Sequence, residues 1–396
     1  MKLSERTARM EASATLAMTA KAKALKAEGK PVISFSVGEP DFDTPQCAQE
    51  AAFEAIKTGQ THYTPTSGIP ELRKAIAEYY AGHFGLKYEP TQIVVGCGAK
   101  PLLYVTLGSL IDPGDEVIIP VPAWVSYVEQ LKLFDGKEVL VDTSKTGYVP
   151  DLKQIEDAIT PKTKAIMLNT PSNPTGAVYS ESVLKGIAEL ALKHKFVVIY
   201  DEIYERMVYG NAKHYNIVQI CPDIKDQTIL INGVSKAYAM TGWRIGYALG
   251  EKNFMNIVSD FQGHITSNAS SVAQWASVAA IKNAEPDIVK MVQAFEKRRE
   301  IILGLLNELP YIKFSKPDGA FYVWFDISEI IGKKWNGIEI TDDTKLCELL
   351  LEHKFVAGVM GSAFMTPGFV RLSYASSEDD IREGMKRIKE FLSEIA

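Results

Sequence analysis

The segment Ser235-Lys236-Ala237-Tyr238-Ala239-Met240-Thr241-Gly242-Trp243-Arg244-Ile245-Gly246 follows the apolar run Thr228-Ile229-Leu230-Ile231-Asn232. A lysine just beyond a buried strand, with an arginine eight residues on and glycines nearby, is poorly placed for a surface charge. It is well placed for an amine that bonds to an aldehyde while a cation close by holds an anionic group. Partial burial and neighbouring charge lower a lysine's pKa and make it a Schiff-base nucleophile. Taken alone, a lysine after a strand is usually solvated. Its surroundings decide the reading.

Outward from this segment, seven apolar runs read as strands: 93–97, 116–120, 138–141, 165–169, 196–200, 228–231 and 245–249. Helical patterns at 101–111, 151–159 and 180–194 lie between them. Such alternation predicts an α/β fold with a mostly parallel or mixed sheet covered on both faces. In such sheets ligands sit beyond the carboxyl ends of the strands. Gly98, Asn173, Asp201 and Lys236 each follow a strand. After residue 285 the texture changes to a charged helical stretch at 287–309, strands at 321–325 and 369–374, a helix at 344–354 and a terminal helix from Glu378. The division this predicts is a large α/β domain over 45–285. A smaller α+β domain takes 286–396 together with 1–44.

A chain of 396 residues suggests about two domains. Its formal net charge of −6 gives no global attraction to nucleic acid or an anionic membrane. Cys47, Cys97, Cys221 and Cys347 are far apart and form no CxxC. That pattern predicts reduced thiols in a cytoplasmic protein, without a disulfide framework or a metal site. No apolar run approaches the roughly 20 residues of a membrane span. Residues 2–30 are rich in Lys, Arg and Ala, loosely like a transit peptide. Glu5, Glu11 and Glu28 interrupt that pattern, and Leu16, Met18, Ala22 and Leu25 predict an amphipathic helix ending at Gly29.

The strand-end residues have alternatives one by one. Asp201 closes the run Phe-Val-Val-Ile-Tyr and is followed three residues on by Tyr204. It could cap a helix, or face a protonated ring nitrogen, with Tyr204 donating to a phenolate. Thr170-Pro171-Ser172-Asn173-Pro174-Thr175-Gly176 is a rigid turn with a candidate cis bond before Pro174, and Asn173 could donate its amide to the same phenolate. Gly96-Cys97-Gly98-Ala99-Lys100-Pro101 joins a strand to a helix, where amides can approach a phosphate; glycines in such turns are also plain geometry. Arg244 would complete that anion site. Trp124 could stack on a ring or merely pack. Arg371, in Phe-Val-Arg-Leu-Ser-Tyr, could face solvent or grip a carboxylate in bidentate fashion. Together the set matches what pyridoxal 5'-phosphate (PLP) needs: a lysine, a carboxylate at the ring nitrogen, phenolate donors, a phosphate site and a stacking wall.

The chain resembles the fold-type-I PLP-dependent enzymes, specifically class I aminotransferases, and within them the bacterial and archaeal branch of aspartate aminotransferases. The likeness rests on Gly38-Glu39-Pro40-Asp41-Phe42, Tyr63-Thr64-Pro65-Thr66-Ser67-Gly68, the Gly98-Ala99-Lys100 turn, Ala123-Trp124, Ser172 to Gly176, Tyr200 to Tyr204, the Lys236 segment and Arg371-Leu372-Ser373-Tyr374. The resemblance implies a large domain with a seven-stranded sheet between helices and a smaller α+β domain. It implies that Lys236 forms the internal aldimine and shuttles the proton, that Asp201 pairs with the pyridine nitrogen, and that Tyr204 and Asn173 bind the phenolate. Trp124 would stack, and Arg244, Ser235 and the Ala99 and Lys100 amides would hold the phosphate. Tyr63 would reach the phosphate of a neighbouring subunit, in a homodimer with shared active sites. Arg371 and Gly38 would bind the substrate α-carboxylate, with Trp124 and Asn173 beside it. In this branch the lysine of the turn, here Lys100, meets the distal carboxylate of a dicarboxylic substrate. One departure stands out: some relatives carry a serine three residues before the lysine, where this chain has Gly233.

The implied activity is a ping-pong transfer of an amino group between aspartate and 2-oxoglutarate. Relatives that also transaminate prephenate make dual activity an alternative, as is broader aromatic or alanine transamination. A lyase on the same fold is a further rival. Regulators that fuse this fold to a DNA-binding helix-turn-helix carry a basic extension before it, and here the fold is expected to begin within the first few dozen residues.

Overall fold

A computed structural model describes Ser4, Glu5, Met10 and residues 14–396. Its centre is a seven-stranded sheet built from β1 (Ile93–Gly96), β2 (Glu116–Val121), β3 (Lys137–Asp142), β4 (Thr163–Asn169), β5 (Val197–Asp201), β6 (Thr228–Gly233) and β7 (Gly246–Leu249). The spatial order is β1-β7-β6-β5-β4-β2-β3. β7 runs antiparallel to both its neighbours, and the remaining pairings are parallel. Each of the seven expected runs is a strand here. All but β3 were legible because helices cover both faces, so both alternating sets of side chains are apolar, whereas β3 is an edge strand with most of its residues exposed or half-buried. Ile118 packs in the core on one face of β2, while Val117 and Ile119 join the core on the other.

The one reversed strand has a consequence for the site. The carboxyl ends of β1, β2, β4, β5 and β6 all lie on one edge. β7 presents its amino end there. Arg244, two residues before β7, therefore reaches the same edge as Lys236, three residues after β6. The junction is made of glycine: Gly96 and Gly233 both pair with Gly246. A Cβ on Gly246 would stand 2.3 Å from the Ala99 nitrogen, and one on Gly233 would stand 2.8 Å from the Ile245 carbonyl oxygen. Position 233 has no room for a side chain, which accounts physically for the missing serine. Gly246→Ala should cost about 3 kcal/mol, the upper end of overpacking penalties, because backbone cannot yield as a side chain would. A urea melt with a lowered midpoint and unchanged slope checks this.

A second sheet of four strands packs elsewhere. Tyr322–Asp326 pairs antiparallel with Phe369–Ser373 and with Lys313–Phe314, and Val359–Met360 adds to the other side of Phe369–Ser373. Its core gathers Met18 and Ala22 of the helix Ala14–Ala27, Phe295 of Glu285–Leu306, Leu350 of Asp343–Lys354 and Ile388 of Glu378–Ser393. Residues 33 to 36 tie this part together: Ile33–Ser34 pairs with Val356–Ala357, and Phe35 accepts from the Ser373 amide at 2.8 Å.

Three expectations are corrected. The helix read from Pro101 starts at Ala99, because proline is tolerated in a first helical turn and does not mark its beginning. Asp201 is the last residue of its strand, where the sequence pattern placed it just beyond. Leu16 is 66% exposed, whereas Met18 and Ala22 are buried. Residues two apart on a helix point to nearly opposite sides, so Leu16 and Met18 cannot share a face. The helix ends before Gly29, which has φ +82°, as expected. Its expected earlier part, with Glu11, falls outside the described residues apart from Ser4, Glu5 and Met10. No helix among the described residues is long and apolar enough to cross a membrane.

Candidate active site

The carboxyl edge of the seven-stranded sheet faces the second sheet across a cavity of about 330 Å³. Asp201 lies at its floor, 3% exposed. One carboxylate oxygen accepts from the Tyr127 hydroxyl at 2.6 Å and the other from the Ile203 amide at 3.1 Å. Burial nevertheless pushes the carboxyl up to about 6. A carboxylate so placed gains from a cationic partner inside the cavity.

Lys236 projects into the same space, its Nζ donating to the Gly38 carbonyl oxygen. Burial pulls its amine down to about 8 against the pull of Glu39, and Arg371 and Arg244 push the same way as burial. The Thr170 to Gly176 turn is held by bonds from Ser172 to Ala177, from Gly176 to Ser172 and from Tyr179 to the Thr170 hydroxyl, each 2.9 Å. Asn173–Pro174 is cis, and so is Thr170–Pro171. The Asn169 side chain accepts from the Asn173 amide at 2.8 Å and donates to the Asp201 carbonyl at 3.1 Å, fixing the turn to the end of β5.

Arg371 enters from the second sheet, opposite Trp324, and is 2% exposed. Nη1 donates to Asn173 Oδ1 at 2.9 Å and Nη2 to the Ser36 carbonyl at 2.7 Å. Both acceptors are neutral. Nε is buried with no partner among the described residues. The guanidinium lies 4.4 Å from the centre of the Tyr322 ring and 5.0 Å from that of Phe364. With Oδ1 of Asn173 taken by this cation, the Asn173 side chain keeps its NH2 as a donor.

On another wall, the helix Ala99–Leu110 is preceded at its cap position by Gly98, whose φ is +104° and which supplies no side-chain cap. First-turn amides left in this way form an anion site. Arg244 stands over it: a Cβ on Gly98 would come within 2.5 Å of its Nη2. Arg244 itself adopts φ +56° and donates to the Thr241 carbonyl at 2.9 Å. Lys100 holds its Nζ 4.6 Å from the centre of the Trp124 ring. Desolvation, and then the charge of Arg244, pull its amine below the usual lysine value.

Residues 30–388 match the model of the family described as aminotransferase class I and II. The chain belongs to that family. It is 45% identical to an aspartate aminotransferase of Geobacillus stearothermophilus over 99% of both chains. It is 43% identical, again over 99% of each, to a probable aspartate/prephenate aminotransferase of Aquifex aeolicus. Its structure is similar to that of an aspartate aminotransferase from Rhizobium meliloti, with a TM-score of 0.96, 39% identity and 100% coverage of both chains.

Within this aminotransferase fold, the cavity is lined by Gly38, Ala99, Lys100, Trp124, Asn173, Asp201, Tyr204, Ser235, Lys236, Arg244 and Arg371. Every residue expected from the sequence is therefore gathered, with one exception. Tyr63 is 94% exposed and does not line the cavity of its own chain. Sequence reasoning missed Tyr127 and Tyr322, both of which line it. Tyr127 sits three residues after Trp124, at the start of the helix Ser126–Lys132, and the two rings meet edge to face at 5.4 Å. That spacing was visible in the sequence. Tyr322 gave none, because its place depends on antiparallel pairing with residues some fifty positions away.

Proposed function

We propose that this chain is a PLP-dependent aspartate transaminase that exchanges an amino group with 2-oxoglutarate by a ping-pong cycle. One observation carries the reading: a deeply buried guanidinium bonded only to neutral oxygens shares a cavity with a lysine amine lowered to about 8. The first is shaped for a carboxylate, the second for a carbonyl.

The side chains fit PLP as well as substrate. Asp201, a buried carboxylate in want of a cation, would face the ring nitrogen. The Tyr204 hydroxyl and the Asn173 NH2 would donate to the phenolate oxygen, and Trp124 would cover one ring face. The uncapped first turn at Ala99 and Lys100, with Arg244 and Ser235, would take the phosphate. When bound, PLP supplies an electron sink for the charge left at the substrate α-carbon. Lys236 Nζ takes the proton from that carbon and gives it back one position away, a transfer that favours an amine titrating near the working pH. Arg371 and Gly38 orient the α-carboxylate so that the Cα–H bond faces this amine. Lys100, across Trp124, meets the distal carboxylate.

Family membership supports the remaining assignments. Tyr63, so exposed on its own chain, would serve the phosphate of a second subunit in a homodimer. The chain would divide at residues 45 and 285 into the large and small domains, and a cytoplasmic setting suits its four free cysteines. The Arg371 and Lys100 pair could equally hold the two carboxylates of prephenate, which the name of the Aquifex relative favours as a second activity.

The test is a half-reaction titration. Holoprotein is mixed separately with aspartate, glutamate, alanine and phenylalanine while the cofactor absorbance is followed. Aspartate and glutamate should convert it at micromolar to millimolar concentrations. Conversion by phenylalanine with indifference to aspartate refutes the dicarboxylate reading. Lys100→Ala should lower kcat/KM for aspartate by about 30-fold and leave alanine within about 3-fold, the signature of one lost charge-assisted contact. An assay with prephenate and glutamate decides the second activity.

A further inference from the structure

We infer that Tyr322 is a positioning residue: its hydroxyl orients the Tyr204 hydroxyl toward the cavity, and its ring braces Arg371. The inference rests on the function proposed for the cavity above and concerns how two of its groups are held in register.

Tyr322 opens the strand Tyr322–Asp326 and is 1% exposed. Its hydroxyl stands 2.8 Å from that of Tyr204, and the two rings meet edge to face at 5.8 Å. Each hydroxyl has one proton to give. If Tyr204 donates into the cavity, the hydrogen between the two oxygens must come from Tyr322. The charges around the pair favour that order. Arg371 lies 4.4 Å from the centre of the Tyr322 ring, drawing electron density from it and strengthening its hydroxyl as a donor. Lys236 Nζ lies 5.9 Å from the centre of the Tyr204 ring. A donor that itself receives a hydrogen bond donates more strongly.

Gly38 links this pair to the lysine. Its carbonyl oxygen accepts from Lys236 Nζ, while a Cβ on the same residue would stand 2.4 Å from the Tyr322 hydroxyl oxygen. The backbone at position 38 is thus wedged between Lys236 and Tyr322. A tyrosine present only to fill the core would need neither the hydroxyl pairing nor the glycine pressed against it.

Tyr322→Phe keeps the ring under Arg371 and removes the hydroxyl. In the PLP-loaded protein, the pH midpoint of the cofactor absorbance should move up by about half a unit or more, since a weakened Tyr204 donor stabilises the ionised phenolate less. The kcat with aspartate should fall about 3- to 10-fold while KM stays within about 2-fold. Tyr322→Leu, which also removes the ring, should raise KM about 10-fold in addition. Gly38→Ala should lower kcat/KM by about 10-fold or more, and Tyr322→Phe added to it should recover several-fold by opening space for the new methyl. A Tyr322→Phe protein with the parental midpoint and kcat overturns the inference, as does a double variant no better than Gly38→Ala. A parent protein that shows no lysine-bound PLP band instead refutes the functional reading on which the inference rests, so the two failures are told apart.

Discussion

Lys236→Ala is expected to lower kcat for aspartate by at least about 10^4-fold, because the variant loses both the covalent anchor and the group that moves the α-proton. Lys236→Arg should be as inactive, since a guanidinium stays protonated at any working pH. The parent protein carries a second, sharper signature. Burial and the flanking arginines bring the Lys236 amine down to about 8 from an ordinary 10.5. At pH 7 roughly a tenth of it is therefore neutral, against about one part in three thousand for an unperturbed lysine. Only the neutral amine attacks an aldehyde. Capture of PLP by the cofactor-free protein should then accelerate about tenfold per pH unit below 8 and level off above it. Stopped-flow absorbance measures this directly, and borohydride reduction followed by peptide mapping places the adduct. A capture rate that climbs steadily to pH 10 contradicts the lowered value. An adduct recovered on another lysine contradicts the assignment of the site.

The large sheet and most of the cavity were legible in the sequence for a simple reason. Strands buried on both faces appear as unbroken apolar runs, and a fold of this class collects its ligand residues just past them. Lys236, Asn173 and Asp201 stand out as the chemically distinctive residues at or just beyond the end of such a run. Arg244 needed more: it reaches the edge because β7 is reversed, glycine at 246 lets that strand press against the Ala99 turn, and glycine at 233 lets β6 press against β7. The Lys236 segment hinted at this through its spacing alone. The Tyr322 pairing was invisible, since antiparallel register is set by contacts between distant stretches and a slip of one residue would turn the side chain away. The same holds for Ser36, whose carbonyl receives Arg371 across more than three hundred residues. Tyr63 illustrates another limit. It is exposed and lies outside the cavity of its own chain, so the role proposed for it toward a second subunit cannot be read from this chain's geometry.

Arg371→Leu should separate binding from stability. The guanidinium sits among Asn173, Ser36, Tyr322 and Phe364, without a carboxylate in its hydrogen-bond set. Its own burial pulls its pKa below the usual arginine value, a sign of desolvation that its neutral partners do not offset. With a substrate carboxylate in reach, that same desolvation becomes an advantage, because the cation is already stripped of water and held in shape. Its loss should lower kcat/KM for aspartate about 10^3-fold, about 4 kcal/mol at 1.4 kcal/mol per decade. Lys at this position should recover little, as an ammonium lacks the planar fork. Stability should run the other way. Exchanging an unpaired buried cation for a leucine removes a desolvation penalty, offset in part by the two acceptors left behind, so the variant should melt no lower than the parent. A saturating dicarboxylate sharpens the contrast. At 100 times its Kd it should stabilise the parent by about 2.7 kcal/mol, while the leucine variant should not respond at that concentration. Calorimetry of both proteins with and without maleate decides it. A variant that melts well below the parent would make Arg371 a structural residue first. A variant still stabilised by maleate would move the carboxylate site elsewhere.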